Sequence, residues 1–432
     1  MVAATVGRAR VRTTFQSLSV RNYRLFFSGQ LGKLLGVWMM YVAQDWLVLE
    51  LSGNSATALG LVTGLQFAPV VLLSLHGGKL ADRSDRRRLL TIINSVAGAV
   101  ALVMGLLVVT HLVTLALVFV FAAVLGAVNA LENPVRQSFL SDLVEPALLP
   151  NALGLSSAAF NMARIVGPAV AGVAIWLVGL GPLFLVTGLF FLIAPLCLVR
   201  MRAGELYRDG AGVAPGKARI RDGVAYVWGR DDLVQALALL LVVGLVGFNF
   251  QLTLPVMARN VFGTGPQQFG LLTTALALGA LAGALVSGAR RHRPSVYVVM
   301  GSGMAFGLLE MVAGFAPTFW TSALLLVPTG FGMILFAQAT NQYLQLGVPA
   351  EYRGRVMSLF VLVFMGTMPI GGPLVGFISE HIGPRVGIWG GGLLSFLASF
   401  AALAWHLQRS GERLRVKLRP LHVEVVDAPA RV

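Results

Sequence analysis

Three residues that carry charge at neutral pH, Lys33, Asp45 and Arg164, lie inside long apolar stretches of the chain. A charge at the centre of a bilayer costs roughly 2.5–3.5 kcal/mol even on the lenient insertion scale, so each needs a task or a partner. Asp45 falls in the outer third of its stretch, where a carboxyl suits proton coupling or the attraction of a cationic compound. A structural acid near the outer mouth is the plainer alternative. Arg164 stands 11 residues into its stretch, about 16 Å deep at 1.5 Å per residue, on one helical face with Asn161 and Pro168. A guanidinium there either holds an anionic substrate or clamps a carboxylate or carbonyls between helices. Lys33 and Asp45 share a stretch, but twelve positions at 100° each set them about 120° apart, so they do not pair. The inward stripe is then either Lys33, Val37, Met40 and Gln44 or Trp38, Tyr41 and Asp45. Lys33 is too deep to snorkel easily and calls for a polar partner. Asn249, Gln251 and Thr253, and Gln338, Asn341, Gln342 and Gln345, form two further polar groups that orient a substrate or cross-link helices. Glu310, near the outer end of its stretch, is expected to snorkel to the interface.

The elements that must position these groups are twelve apolar stretches, near 24–49, 57–77, 89–110, 112–131, 153–178, 182–199, 234–257, 268–288, 296–315, 319–340, 355–379 and 386–407. Each approaches the roughly 20 residues that span a bilayer, and backbone in hydrocarbon must be helical. The composition agrees: the 432 residues are 56% hydrophobic and 12% charged, with mean hydropathy +0.79, whereas soluble domains carry roughly 25% charged residues. A net charge of +15 would suggest nucleic acid in a soluble chain. Here 29 of the 33 Lys and Arg residues fall in the N-terminal tail, the C-terminal tail and every second loop. That pattern assigns no nucleic-acid partner and places both termini in the cytoplasm of a multi-pass cell-membrane protein. The basic tail 1–23 lacks the features of a removed signal. A lone Cys197 and six scattered histidines leave no disulfide framework or metal site. No phosphate-binding G-x-x-x-x-G-K-[ST] occurs, so ATP is not the direct energy source. No nucleophile–base cluster suggests an enzyme, and no cofactor is implied.

The chain divides into an N-terminal six-helix bundle (24–199), a connector (200–232), a C-terminal six-helix bundle (233–408) and a tail (409–432). Gly60-Leu61-x-Thr63 and Gly270-Leu271-x-Thr273 open the second and eighth spans, and each runs into a basic loop. Gly167-Pro168 with Gly172 in span 5 answers Gly372-Pro373 with Gly376 in span 11. The order of these matches indicates related halves, which place a binding site near the midplane between them. In the connector, Ile220, Val224, Val227 and Trp228 share one face, predicting an amphipathic helix on the inner leaflet.

The loop Gly78-x-Leu80-Ala81-Asp82-Arg83-x-x-Arg86-Arg87 resembles the G-x-L-A-D-R-x-G-R-R motif of the major facilitator superfamily. Stretches in both halves, Gln44-Asp45-Trp46, Glu132-Asn133-Pro134 and Ala163-Arg164-Ile165-Val166-Gly167-Pro168 in the first and Arg353-Gly354-Arg355-Val356-Met357-Ser358 in the second, are similar to its drug- and siderophore-exporter branch. The resemblance implies an all-α membrane fold of twelve helices in two pseudo-symmetric six-helix bundles. It also implies a gating latch formed by Gly78, Asp82, Arg83, Arg86 and Glu132. In that latch Asp82 meets the N-terminus of span 11, Arg86 pairs with Glu132, and Gly78 permits close approach. Asp85 stands where the motif has its second glycine. The span 5 element partly resembles the exporter motif G-x-x-x-G-P-x-x-G-G, with Ala163 in place of the first glycine. It implies a hinge at Gly167, Pro168 and Gly172, repeated at Gly372, Pro373 and Gly376.

The expected function is secondary active export of amphipathic small molecules by alternating access, with protons as the coupling ion and the chain a monomer in the lipid bilayer. Lys33 and Arg164 together favour a second reading, an exporter of siderophores or other anionic metabolites. A receptor that does not transport stands further off.

Overall fold

In a computed structural model the described residues are 15–207, 220–290, 292–410, 412–418 and 421–427. Side chains are described throughout these except at 75, 77–79, 81–83, 220–222 and beyond 409. The side chains of Gly78, Asp82 and Arg83 therefore lie outside the described residues, as do most of the tail 1–23 and residues 208–219 of the connector.

Among the described residues, twelve helical spans are long and apolar enough to cross a membrane. They are span 1 (Arg21–Leu51), span 2 (Ala56–Arg83), span 3 (Arg86–Val109), span 4 (Leu115–Ser141), span 5 (Leu149–Val178) and span 6 (Leu180–Val199). After the connector helix Ile220–Trp228 come span 7 (Asp231–Val246 and Phe250–Val256), span 8 (Pro266–Gly288), span 9 (Val296–Gly314), span 10 (Phe319–Leu346), span 11 (Ala350–Gly366 and Met368–His381) and span 12 (Val386–Ser410). Several helices outrun their apolar stretches. Span 4 continues through Ser141 although its apolar run stops near residue 131, because helix propensity carries a polar segment onward once the turns are nucleated. Spans 7 and 11 are each made of two helices. In span 11, Pro369 has no N–H to bond the carbonyl four residues back. In span 7 the interruption falls at Gly247-Phe248-Asn249, where Asn249 Nδ2 donates to the Leu245 carbonyl at 2.8 Å.

The packing is pseudo-symmetric. Span 2 packs on span 4, span 3 on spans 4 and 6, and span 1 on span 6; span 8 likewise packs on span 10, span 9 on spans 10 and 12, and span 7 on span 12. Among the described residues the two most extensive crossings between the halves are span 2 with span 11 and span 5 with span 8. Both are built on the repeated glycines. A Cβ on Gly60 would meet the Gly372 carbonyl, and one on Gly270 would meet the Pro168 carbonyl. One on Gly172 or on Gly376 would come within 2.6 Å of the Pro266 or Ala56 carbonyl oxygen respectively. Without a strong hydrophobic drive between helices in lipid, such small-residue contacts are what allow close backbone packing.

Beyond span 12, the tail contains an antiparallel hairpin of β1 (Glu412–Leu418) and β2 (Leu421–Asp427), with Glu412 opposite Asp427 and Leu418 opposite Leu421. Its signal was legible: Leu414, Val416 and Leu418, then Leu421, Val423 and Val425, recur with the strand period of two.

Candidate substrate cavity

For orientation, the face of the bundle that carries the connector helix is called the connector face, and the other the far face. Between the halves, about midway, lies a cavity of about 240 Å³ walled by spans 1, 5, 7, 8, 10 and 11. Span 1 contributes Trp38, Tyr41, Val42 and Asp45, and span 5 contributes Arg164 and Pro168. The structure thereby decides between the two stripes of span 1: the one with Trp38, Tyr41 and Asp45 faces the cavity. The opposite wall is apolar, with Phe248, Phe250 and Leu254 of span 7, Phe269 of span 8, Met333 of span 10 and Phe364 and Met368 of span 11. Gln251 and Thr273 add two neutral polar groups.

Asp45 is 2% exposed, and its Oδ1 has no hydrogen-bond partner among the described residues. The Arg164 guanidinium carbon stands 5.8 Å from the centre of the Trp38 ring, a cation–π approach that holds the charge with no counter-ion among the described residues. Trp38 in turn meets Tyr41 edge-on at 5.7 Å and Phe160 at 5.8 Å. The cavity thus offers one acid, one base and aromatic faces, a set that receives a greasy molecule bearing a few polar or charged groups.

Several expected site residues lie elsewhere. Lys33 is not on this wall: its Nζ meets Glu132 Oε1 at 2.8 Å, with both side chains buried inside the N-terminal bundle. Arg136 joins the same carboxylate at 3.3 Å. Glu132 takes this place because span 4 runs on for nine more residues and holds its side chain at 3% exposure within the bundle. The expected partner of Glu132, Arg86, instead reaches Asp142 Oδ1 at 2.7 Å and the Ser138 carbonyl at 3.3 Å, both at the end of span 4. Gln44 donates to Gln66 at 3.2 Å, tying span 1 to span 2. Asn161 donates to the Ser157 carbonyl of its own helix at 2.9 Å, and Asn249 braces the interruption of span 7. Gln338 is exposed and Asn341 half-buried, neither lining the cavity. Glu310, expected to snorkel, is 2% exposed within the C-terminal bundle. Gly167 packs against Trp38, where a Cβ would meet the Trp38 Cβ at 2.6 Å. The phenylalanines and methionines of the far wall carry no signal in the sequence, because any apolar span offers such residues on every face.

On the far face the halves are joined above the cavity. Glu380 of span 11 accepts from Ser55 Oγ at 2.6 Å and from the Thr57 amide at 2.7 Å, capping the start of span 2. Arg259 donates to Asn54 Oδ1 at 3.0 Å and lies 5.3 Å from the Trp46 ring centre, and Asn260 donates to the Asn54 carbonyl at 3.1 Å. Trp46 itself stacks on Phe269 at 6.4 Å, and lower down Thr274 Oγ1 donates to the Ile165 carbonyl at 3.0 Å.

Known proteins share this arrangement. A bacterial homologue of the human lysosomal transporter Spinster, solved in an inward-facing and unoccupied conformation, has the same fold: TM-score 0.71 over 91% of this chain and 96% of that one, at 16% identity. The staphyloferrin A transporter of Staphylococcus aureus is 27% identical over 369 residues, 83% of this chain and 90% of that protein. The multidrug efflux pump Tap of Mycolicibacterium fortuitum is 25% identical over 360 residues, 79% of this chain and 85% of that protein. The family described as transmembrane secretion effector matches residues 12–429. With twelve spans in two related halves and a cavity between them, the chain belongs to that family of the major facilitator superfamily and is a multi-pass membrane transporter, not an enzyme.

Proposed function

We propose that this protein exports amphipathic, drug-like small molecules by alternating access, exchanging them for protons. The observation that carries this reading is the presence of both Asp45 and Arg164 on the wall of an otherwise largely aromatic and apolar cavity. Asp45 is the coupling carboxyl: a buried acid without a hydrogen-bond partner on Oδ1 exchanges a proton when the cavity changes sides. Aromatic walls accept varied apolar bodies, and Arg164 orients a polar or anionic group on them. The connector face, which bears the basic loops, is assigned to the cytoplasm by the positive-inside rule. The far-face contacts then close the cavity to the outside, and the glycine crossings of spans 2 with 11 and 5 with 8 are the hinges. The residues 24–199 and 233–408 act as the two moving units of a monomer.

A second reading, export of a siderophore or other anionic metabolite, draws support from the Arg164 guanidinium, which meets no carboxylate among the described residues, and from the staphyloferrin A transporter among the relatives. It draws none from Lys33, whose charge is spent on Glu132. Everted membrane vesicles carrying the full chain test both readings. A fluorescent organic cation accumulates with a proton gradient and Asp45→Asn lowers that uptake at least tenfold, about 1.4 kcal/mol, if the first reading holds. Accumulation of an anionic hydroxycarboxylate chelator, lost in Arg164→Ala, replaces it with the second. Uptake that Asp45→Asn leaves at the wild-type level overturns the coupling role.

A further inference from the structure

Away from the cavity, the C-terminal bundle buries an acid for which the proposed transport cycle has no use. Glu310 follows Gly303 and Gly307 along the face of span 9 that packs on span 12. Those glycines bring the two helices together: a Cβ on Gly303 would meet Ser399 Oγ at 2.5 Å, and one on Gly307 would meet the Gly392 carbonyl oxygen at 2.6 Å. Glu310 sits one turn further along and is carried inward with the same face.

Opposite it is the interruption of span 7. A Cβ on Gly247 would meet Ser395 Oγ at 2.8 Å and Glu310 Oε2 at 3.0 Å. One on Gly391 would meet the Val246 carbonyl oxygen and, at 3.4 Å, Glu310 Oε1. The carboxyl therefore borders two oxygens able to accept a hydrogen bond, Ser395 Oγ and the Val246 carbonyl, in a pocket kept open by glycines of spans 7 and 12. Neither Glu310 Oε2 nor Ser395 Oγ has a hydrogen-bond partner among the described residues. The ionisable groups of the helices packed around span 9 stand at the connector-face ends of those helices: Asp231 and Asp232 on span 7, Tyr343 on span 10, His406 and Arg409 on span 12. On span 9 itself, Tyr297 is at the same end. At the far-face end, Arg385 is engaged by the Gly314 and Ala316 carbonyls at 3.1 and 2.6 Å, and Arg259, just beyond span 7, by Asn54 Oδ1 at 3.0 Å.

Among the described residues an ionised carboxylate here has no cation beside it and a single hydroxyl, Ser395 Oγ, able to donate to it, and is heavily penalised, whereas a carboxylic acid is itself a donor and finds acceptors beside it. We infer that Glu310 is a proton-binding site of the C-terminal half, set behind the broken stretch of span 7 and separate from Asp45. The proton binds on a carboxylate oxygen when spans 7, 9 and 12 are packed as described, and leaves when their movement admits water. The same short stretch connects this site to the cavity. Gly247 faces Glu310, while the neighbouring Phe248 and Phe250 line the cavity wall. Both rings pack edge-on against Phe306, one turn before Glu310, at 5.5 and 6.3 Å. Substrate pressing on those rings thus bears on the backbone that covers the carboxyl.

The inference goes beyond the proposed export and needs no knowledge of the cargo. Infrared spectra of the purified full chain in phosphatidylcholine–phosphatidylglycerol vesicles, recorded from acid to alkaline pH, test it. The wild type is expected to show a protonated-carboxyl C=O band that Glu310→Gln removes and Asp45→Asn retains. Glu310→Asp, which keeps an acid in the same place should the glutamine variant fail to fold, is expected to move that band without abolishing it. Spectra of either Glu310 variant identical to wild type at every pH overturn the site. Failure of vesicle uptake in the wild type would sink the export reading and leave these spectra as they are.

Discussion

Lys33 and Glu132 show how a single contact reassigns a residue. Taken alone, a lysine deep in span 1 invites an anionic substrate; at 2.8 Å from a buried glutamate it is half of a structural ion pair. Removing one partner of such a pair leaves the other charge buried and alone, at a cost of about 3–5 kcal/mol. Lys33→Ala is accordingly expected to lower the denaturation midpoint of the detergent-solubilised protein sharply, while Lys33→Met combined with Glu132→Leu restores most of the loss. A single variant as stable as wild type would put Lys33 back among the free charges. Asp45 and Arg164 differ in kind, since no carboxylate neutralises Arg164 among the described residues and no donor serves Asp45 Oδ1. Their cost is tolerable only where a ligand, a proton or water meets them in turn.

At the scale of elements, the two crossings between the halves are the parts most sensitive to side-chain volume. Gly60 and Gly270 leave no room for a Cβ beside the opposing carbonyls. Overpacking at such a site forces backbone shifts costing typically 1–3 kcal/mol. Gly60→Leu and Gly270→Leu are each expected to reduce vesicle uptake at least about tenfold by holding the far face apart, with insertion into the membrane unchanged. Gly154→Leu, on span 5 with open space around it, is the matched control and is expected to transport normally. Equal losses in all three would mean that helix propensity, not the crossing, is at fault. The broken spans 7 and 11 belong to this scale as well. Their interruptions free backbone groups and let span 7 serve the cavity with Phe248 while Gly247 faces Glu310.

At the scale of the molecule, a few polar contacts close the far face across the two halves. Glu380, which caps the start of span 2, is exposed, so its contribution is modest, below the range of about 1.5–3 kcal/mol for hydrogen bonds to charged groups. That is enough to shift a two-state balance several-fold. Glu380→Ala is expected to enlarge the population with the far face open, read as a longer component in spin-label distances between span 2 and span 11 at that face. An unchanged distance distribution would show that the glycine crossings alone hold the closure.

Hydropathy determined the number of spans, because lipid requires about 20 apolar residues per helix whatever they pack against. The matching glycines of spans 2, 5, 8 and 11 were legible for a related reason: close backbone contact admits almost nothing else. The stripe spacing even narrowed span 1 to two faces. Only the tertiary structure chose Trp38, Tyr41 and Asp45 over the face with Lys33, joined Arg86 to Asp142 and buried Glu310 against the interruption of span 7. In a chain that is apolar on all sides, no amphipathic pattern marks the inward face. Which charge meets a partner and which meets the cavity is decided by helices distant in sequence.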